Sequence, residues 1–78
     1  MNLINLYSDY YIDSELVYCV LQHPTRQTRK LISDAKENDN HLDFSGVKAT
    51  KSIILMNNGK VISCSYNAKT IAGYIQKK

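Results

Sequence analysis

Lys48 and Lys51 belong to a short segment, S-G-V-K-A-T-K at residues 45–51, in which Gly46 permits backbone conformations closed to other residues. Lysines on such a loop suit phosphate oxygens, because each contact needs only a flexible cation near a nucleic-acid backbone. Arg26, Arg29 and Lys30 offer a second cationic group at helical spacing. These five residues are the candidate nucleic-acid contacts. No helix-turn-helix, zinc-finger or RNA-recognition aromatic pattern accompanies them, so the expected chemistry is attraction to phosphates, not the reading of bases.

Catalytic chemistry is poorly served. The glycines at 46, 59 and 73 form no phosphate-cradling loop. Asp9, Asp13, Glu15 and Asp43 follow no acid/base or metal-ligating spacing, and His23 and His41 stand apart from each other and from the cysteines. Cys19 falls within an apolar run beside Tyr18, the setting of an inert thiol, and Cys64 within a second such run. The expectation is a protein that is not an enzyme, with no catalytic residue, no cofactor, no metal and no small-molecule substrate, and with both thiols reduced in a cytoplasmic setting.

The net charge of +3 hides an asymmetry. Residues 1–25 carry Asp9, Asp13 and Glu15 with no base and sum to −3, whereas residues 26–78 carry all ten lysines and arginines against four acids and sum to +6. Such a balance suits an anionic partner, or an acidic surface docking on the basic one of a second copy. The apolar runs are far too short for a membrane-spanning helix, and no basic flank precedes an apolar stretch, so neither a membrane span nor a signal peptide is expected. A chain of 78 residues has a small core, and Tyr10, Tyr11 and Tyr18 lie in the part without bases. Self-association would cover apolar area that one copy leaves exposed.

The cations must be positioned by the surrounding elements. Asn2 to Tyr7 alternates weakly and reads as a strand. Ser8 and Asp9 suit a turn, Tyr10 to Ile12 a short second strand, and the β-branched and aromatic run Leu16 to Leu21 a third, buried one. After Pro24 the period changes. Thr25 is placed to cap an amphipathic helix reaching about Asn38, with Thr28, Leu31, Ile32 and Ala35 on one face and Arg26, Arg29 and Lys30 opposite. The E-N-D-N cluster at 37–40 ends it. His41 to Phe44 is a short strand candidate, and Lys51–Met56 and Lys60–Tyr66 form a hairpin around Asn58-Gly59. Asn67 caps a last helix, Ala68 to about Gln76, whose apolar face is Ile71, Tyr74 and Ile75 and whose negative end Lys77 and Lys78 would complement. The order β-β-β-α-β-β-β-α gives an α+β fold, a small antiparallel or mixed sheet with two helices, in a single domain of residues 1–78.

The same segments, taken in order, resemble the RemA family of bacterial extracellular-matrix regulatory proteins over roughly residues 4–75. I-N-L at 4–6 is similar to the family's opening strand, and R-K-L-I-S-D-A-K at 29–36 to its K-R-I-I-Q-E-A-R helix. Leu42 and Asp43, K-S-I-I-L-M at 51–56, V-I-S-C-S at 61–65 and K-T-I-A at 69–72 follow collinearly. The resemblance implies a DNA-binding transcriptional activator of biofilm matrix genes with a LytTR-like fold. It also implies subunits assembled into a ring, with an octamer as one candidate size, around which double-stranded DNA wraps. Of two adjacent loop arginines that contact DNA in the family, the first falls on Lys48 and the second on Ala49; a third falls on Leu16, and Lys51 keeps a further basic position. Lysine lacks the two-pronged donor geometry of arginine. Two readings therefore stand: an oligomeric regulator holding DNA by its phosphates, and a self-assembling scaffold that has kept the oligomer and lost the DNA surface.

Overall fold

The computed structural model of the protein describes residues 2–76; Lys77 and Lys78, expected at the end of the last helix, lie outside them. Two strands, β1 (Leu3–Tyr7) and β2 (Tyr10–Asp13), pair as an antiparallel hairpin, and a 3₁₀ turn at Ser14–Leu16 leads into β3 (Val17–Gln22). Helix α1 (Arg26–Glu37), β4 (His41–Asp43), β5 (Ser52–Met56), β6 (Val61–Cys64) and helix α2 (Ala68–Gln76) complete the α+β order read from the sequence. The six strands do not share one sheet. The hairpin is separate, and a four-stranded mixed sheet runs β3-β5-β6-β4, with β4 parallel to β6 and the other pairs antiparallel.

The central strands β5 and β6 bury side chains on both faces, which is why S-I-I-L-M and V-I-S-C contain no charged residue and no polar–apolar alternation. Ile54, Ile62 and Cys64 point to one face, where they meet Ile71 of α2 and Leu6 and Ile12 of the hairpin. Ile53 and Val61 point to the other, against Ala35, Leu31 and Ile32 of α1. The sheet is thus a middle layer, with α1 on one side and α2 plus the hairpin on the other. Each buried isoleucine contributes roughly 1.5–3 kcal/mol through removal of apolar surface from water.

Both helices start where their caps require. The Thr25 hydroxyl accepts the Thr28 N–H at 3.0 Å while the Thr28 hydroxyl accepts the Thr25 N–H at 2.9 Å, a reciprocal box with threonine in the usual Glu position. Asn67 Oδ1 accepts the Thr70 N–H at 3.1 Å, and the Gln22 side chain, reaching from the end of β3, accepts the Ala68 N–H at 2.9 Å.

β3 departs from expectation. It begins at Val17, since Leu16 lies in the 3₁₀ turn, and it is an edge strand, not a buried one. A bulge between Val17 and Cys19 leaves Tyr18 without a partner on β5 and turns it outward, 73% exposed. Cys19, expected in the core, is accordingly only half-buried, while Cys64 is fully buried. Both thiols are free, and burial pushes the Cys64 thiol above its ordinary range.

Candidate functional site

The segment carrying Lys48 and Lys51 is tied down at both ends to β6. Phe44 N–H donates to the Ser63 carbonyl at 2.8 Å, and Lys51 N–H to the Cys64 carbonyl at 2.8 Å. Within it, Asp43 acts as an organiser: its Oδ1 accepts the Ser45 N–H at 3.0 Å and the Ser45 hydroxyl as well. These two bonds hold the Asp43 carboxyl below the usual carboxylate range. Ser45 is buried, and its carbonyl accepts the Lys48 N–H at 3.2 Å, closing a tight turn. Gly46 takes a left-handed conformation (φ +65°) with the Tyr7 ring packed directly on its Cα, so a side chain there would overlap the ring. Tyr7, Tyr10 and Phe44 continue as a run of mutually tilted rings with centroid separations of 5.8 and 4.7 Å. The N-terminal hairpin therefore fixes the loop from one side as β6 does from the other. Its tip is left outward: Val47 is 97% exposed, and Lys48 and Ala49 beside it are exposed too.

Lys51 stands where the loop enters β5, its carbonyl accepting the His23 N–H at 3.0 Å. The same corner starts α1, so the basic helix and the basic loop meet at one end of the sheet. Arg26, Arg29 and Lys30 are all exposed. Arg29, Ser33 and Lys36, spaced four and three residues apart on α1, line an open groove of about 410 Å³. Its other wall comes from His41 and Asp43 of β4 with Ser63 of β6, and His23 and Thr50 close its end. Arg26 and Lys30 do not line it. Among the described residues none of the five predicted cations is engaged in an ion pair.

Two histidines stand in this groove with one ring nitrogen each already bonded. His41 Nε2 lies 2.8 Å or less from a hydroxyl, at 2.7 Å from Ser63 Oγ, and His23 Nδ1 is 2.8 Å from Thr28 Oγ1. Partial burial holds the His41 imidazole below its ordinary value; nearby Lys36 adds to this and Asp43 opposes it.

Position by position, Lys48 is exposed at the loop tip and Lys51 at the loop's entry into β5, and Arg29 lines the groove that it shares with Thr50, the residue before Lys51. Leu16 does not join them. Its carbonyl accepts the Asn57 N–H at 2.7 Å, which puts it at the far end of β3, about 20 Å along the strand from the Gln22–Ser52 pair beside Lys51. Sequence reading missed Lys36, His41 and Ser63. Lys36 follows Arg29 by two helical turns and was legible in principle; the pairing that brings His41 to Ser63 was not.

The family model of RemA-like proteins, described as extracellular matrix regulatory protein A-like, matches residues 3–75. The chain belongs to this family. No match is found among curated proteins. The RemA-like segment thus includes every element described above except the last residue of α2, together with the loop, the basic helix and the groove. Membership makes the chain one of a family of extracellular matrix regulatory proteins. Among the described residues of this RemA-like chain, no helix is long and apolar enough to cross a membrane, and no three His, Cys, Asp or Glu side chains gather as metal ligands.

Proposed function

We propose that the chain is an oligomeric, cytoplasmic DNA-binding regulator of biofilm matrix genes, not an enzyme, which holds double-stranded DNA through its phosphates. The observation that carries this reading is the outward loop tip anchored on both sides, which keeps Lys48 and Lys51 exposed on fixed backbone in a member of a matrix-regulator family. A cation held by a prearranged loop loses less freedom on binding than one on a mobile segment. Arg26, Arg29 and Lys30 extend the positive surface onto α1. Contacts of this kind give affinity without base recognition, so operator choice would rest on DNA shape and on the spacing of subunits in a ring. The uncharged edge of β3 with exposed Leu16 and Tyr18 offers a surface for self-association.

Gel shifts on AT-rich and random duplexes at two salt concentrations test the reading. Binding should fall steeply with salt, and Lys48→Ala with Lys51→Ala should weaken all duplexes alike and lower the salt slope by up to about 1.8. Restoring arginine at Ala49 should tighten binding without changing oligomer size. A second reading, a self-assembling scaffold without DNA binding, is favoured by Leu16 and Ala49, where the family's cations are replaced by apolar residues. An oligomer in light scattering that shifts no duplex even at low salt would establish it over the first.

A further inference from the structure

The groove between α1 and β4 is rich in donors and poor in acceptors. Arg29 and Lys36 bring two positive charges from helix positions about 10 Å apart along the axis, close enough for their long side chains to converge on one ligand. Ser33 and Thr50 add hydroxyls. With Nδ1 bonded to Thr28, His23 has Nε2 left for a ligand, and with Nε2 bonded to Ser63, His41 has Nδ1 left; each of these nitrogens is a donor whenever its ring is protonated. The acid in the lining, Asp43, already accepts two hydrogen bonds from Ser45. Even without a charge on either imidazole, Arg29 and Lys36 outnumber Asp43 in the lining. At about 410 Å³ the space lies within the range of small-ligand sites.

We propose that this groove binds a phosphate group, presented either by a free phosphate ester or by a nucleic-acid backbone, and that protonation of His41 strengthens the binding. A free phosphate ester offers three terminal oxygens and a backbone phosphodiester two terminal and two weaker ester oxygens, spread tetrahedrally so that cations on opposite walls can be engaged at once, whereas a carboxylate offers two oxygens in one plane. The inference shares Arg29 with the DNA reading and goes beyond it, since neither Lys48 nor Lys51 is needed. The groups facing the ligand are Arg29 and Lys36 of α1, His41 and Asp43 of β4, and His23 at the groove's end. Imidazole is the side-chain group whose ordinary titration falls between pH 5 and 8, and His41 is the one on the groove wall beside Lys36 and Asp43. His41 is neutral near pH 7 and gains a proton below its ordinary range, adding a positive charge at the wall.

Sulfate is the probe for the pH arm, because it stays a dianion throughout this range; the histidine ring signals are followed by NMR on the full chain. Sulfate should shift the His41 and His23 signals saturably, and should bind more tightly as pH falls from 7.5 through the His41 titration, by about three- to tenfold once that ring is protonated. It should also raise the His41 titration midpoint, as linkage requires of a ligand that prefers the protonated form. Lys36→Gln, at an exposed helix position, should weaken sulfate by about three- to tenfold, and His41→Asn should remove most of the pH dependence. Chloride at matched ionic strength should do none of this. Sources are separated by adding inorganic phosphate, then a short duplex. Phosphate displaced by the duplex assigns the groove to the nucleic-acid backbone; phosphate retained beside bound duplex, or binding when no duplex binds, assigns it to a free ester. The last outcome would end the DNA reading and leave this one standing. Absence of a saturable response to both anions, or a Lys36→Gln chain that binds sulfate as the native chain does, overturns the proposal.

Discussion

β5 and β6 are covered on both faces and by strands on both sides, whereas the N-terminal hairpin buries only Leu6 and Ile12 and leaves Leu3, Tyr10 and Tyr11 in water. The central strands owe their place to position in the sheet. The hairpin owes its place to a few side chains inserted under it and to the rings that run from Tyr7 through Tyr10 to Phe44. A part held by few contacts can open without unfolding the rest. Here that part also clamps the loop bearing Lys48, so the less secure region governs the order of the segment placed to meet a partner.

Four changes test this contrast, in descending size. Ile54→Ala removes a side chain with no exposure in the middle of β5 and should cost about 2–5 kcal/mol in denaturant unfolding. A loss below 1 kcal/mol would mean that the centre is not the keystone described. Gly46→Ala combines a left-handed backbone with overlap on the Tyr7 ring and should cost about 1–3 kcal/mol. Adding Tyr7→Ala should make the glycine replacement less damaging, and full additivity of the two would deny their contact. Tyr10→Ala breaks both ring pairs and should cost about 0.5–1.5 kcal/mol beyond lost area. Hydrogen exchange should then quicken in β1, β2 and residues 44–50 but not in β5 and β6; equal quickening everywhere would erase the distinction drawn above.

The smallest effect is acid-driven. The Asp43 carboxyl titrates below its unfolded value of 3.8, so its contribution is present above that value and fades as pH falls through the native one. Because the group is largely exposed, the loss in overall stability is small, and loosening of the loop is the better readout. Asp43→Ala should bring that loosening to neutral pH, seen as faster exchange of the Ser45 amide, while a native-like rate there would contradict the organising role given to Asp43.

Local signals were read well from the sequence. The Thr25 cap, the change of period after Pro24, Asn58-Gly59 and Asn67 each act within a few residues, and both helices fall within a residue of their expected limits. Exposure of Lys48 and Lys51 was legible for the same reason. Edge or centre is not a local property: L-V-Y-C-V-L would suit a strand covered on both sides, and only the absence of a neighbour beyond β3 makes Tyr18 a surface residue. Nor could spacing reveal that the hairpin stands apart from the main sheet, that β4 runs parallel to β6, or that His41 meets Ser63 across 22 residues. The groove depends on that pairing, so it stayed hidden although every residue lining it was in view.

The register of the main sheet also orders the events of folding. Tyr7 meets Tyr10 and Leu55 meets Val61 across short turns, but Gln22 finds Ser52 thirty residues away, through all of α1 and β4. Closing that longer loop costs roughly 1–2 kcal/mol more chain entropy than closing the β5–β6 turn. The two hairpins are therefore the early structures, and the joining of β3 to β5 is the late step that unites the two halves of the chain. In chevron kinetics, Ile62→Val should chiefly slow folding, whereas Val20→Ala should chiefly speed unfolding, and the reverse pattern would place the nucleus at the long-range seam.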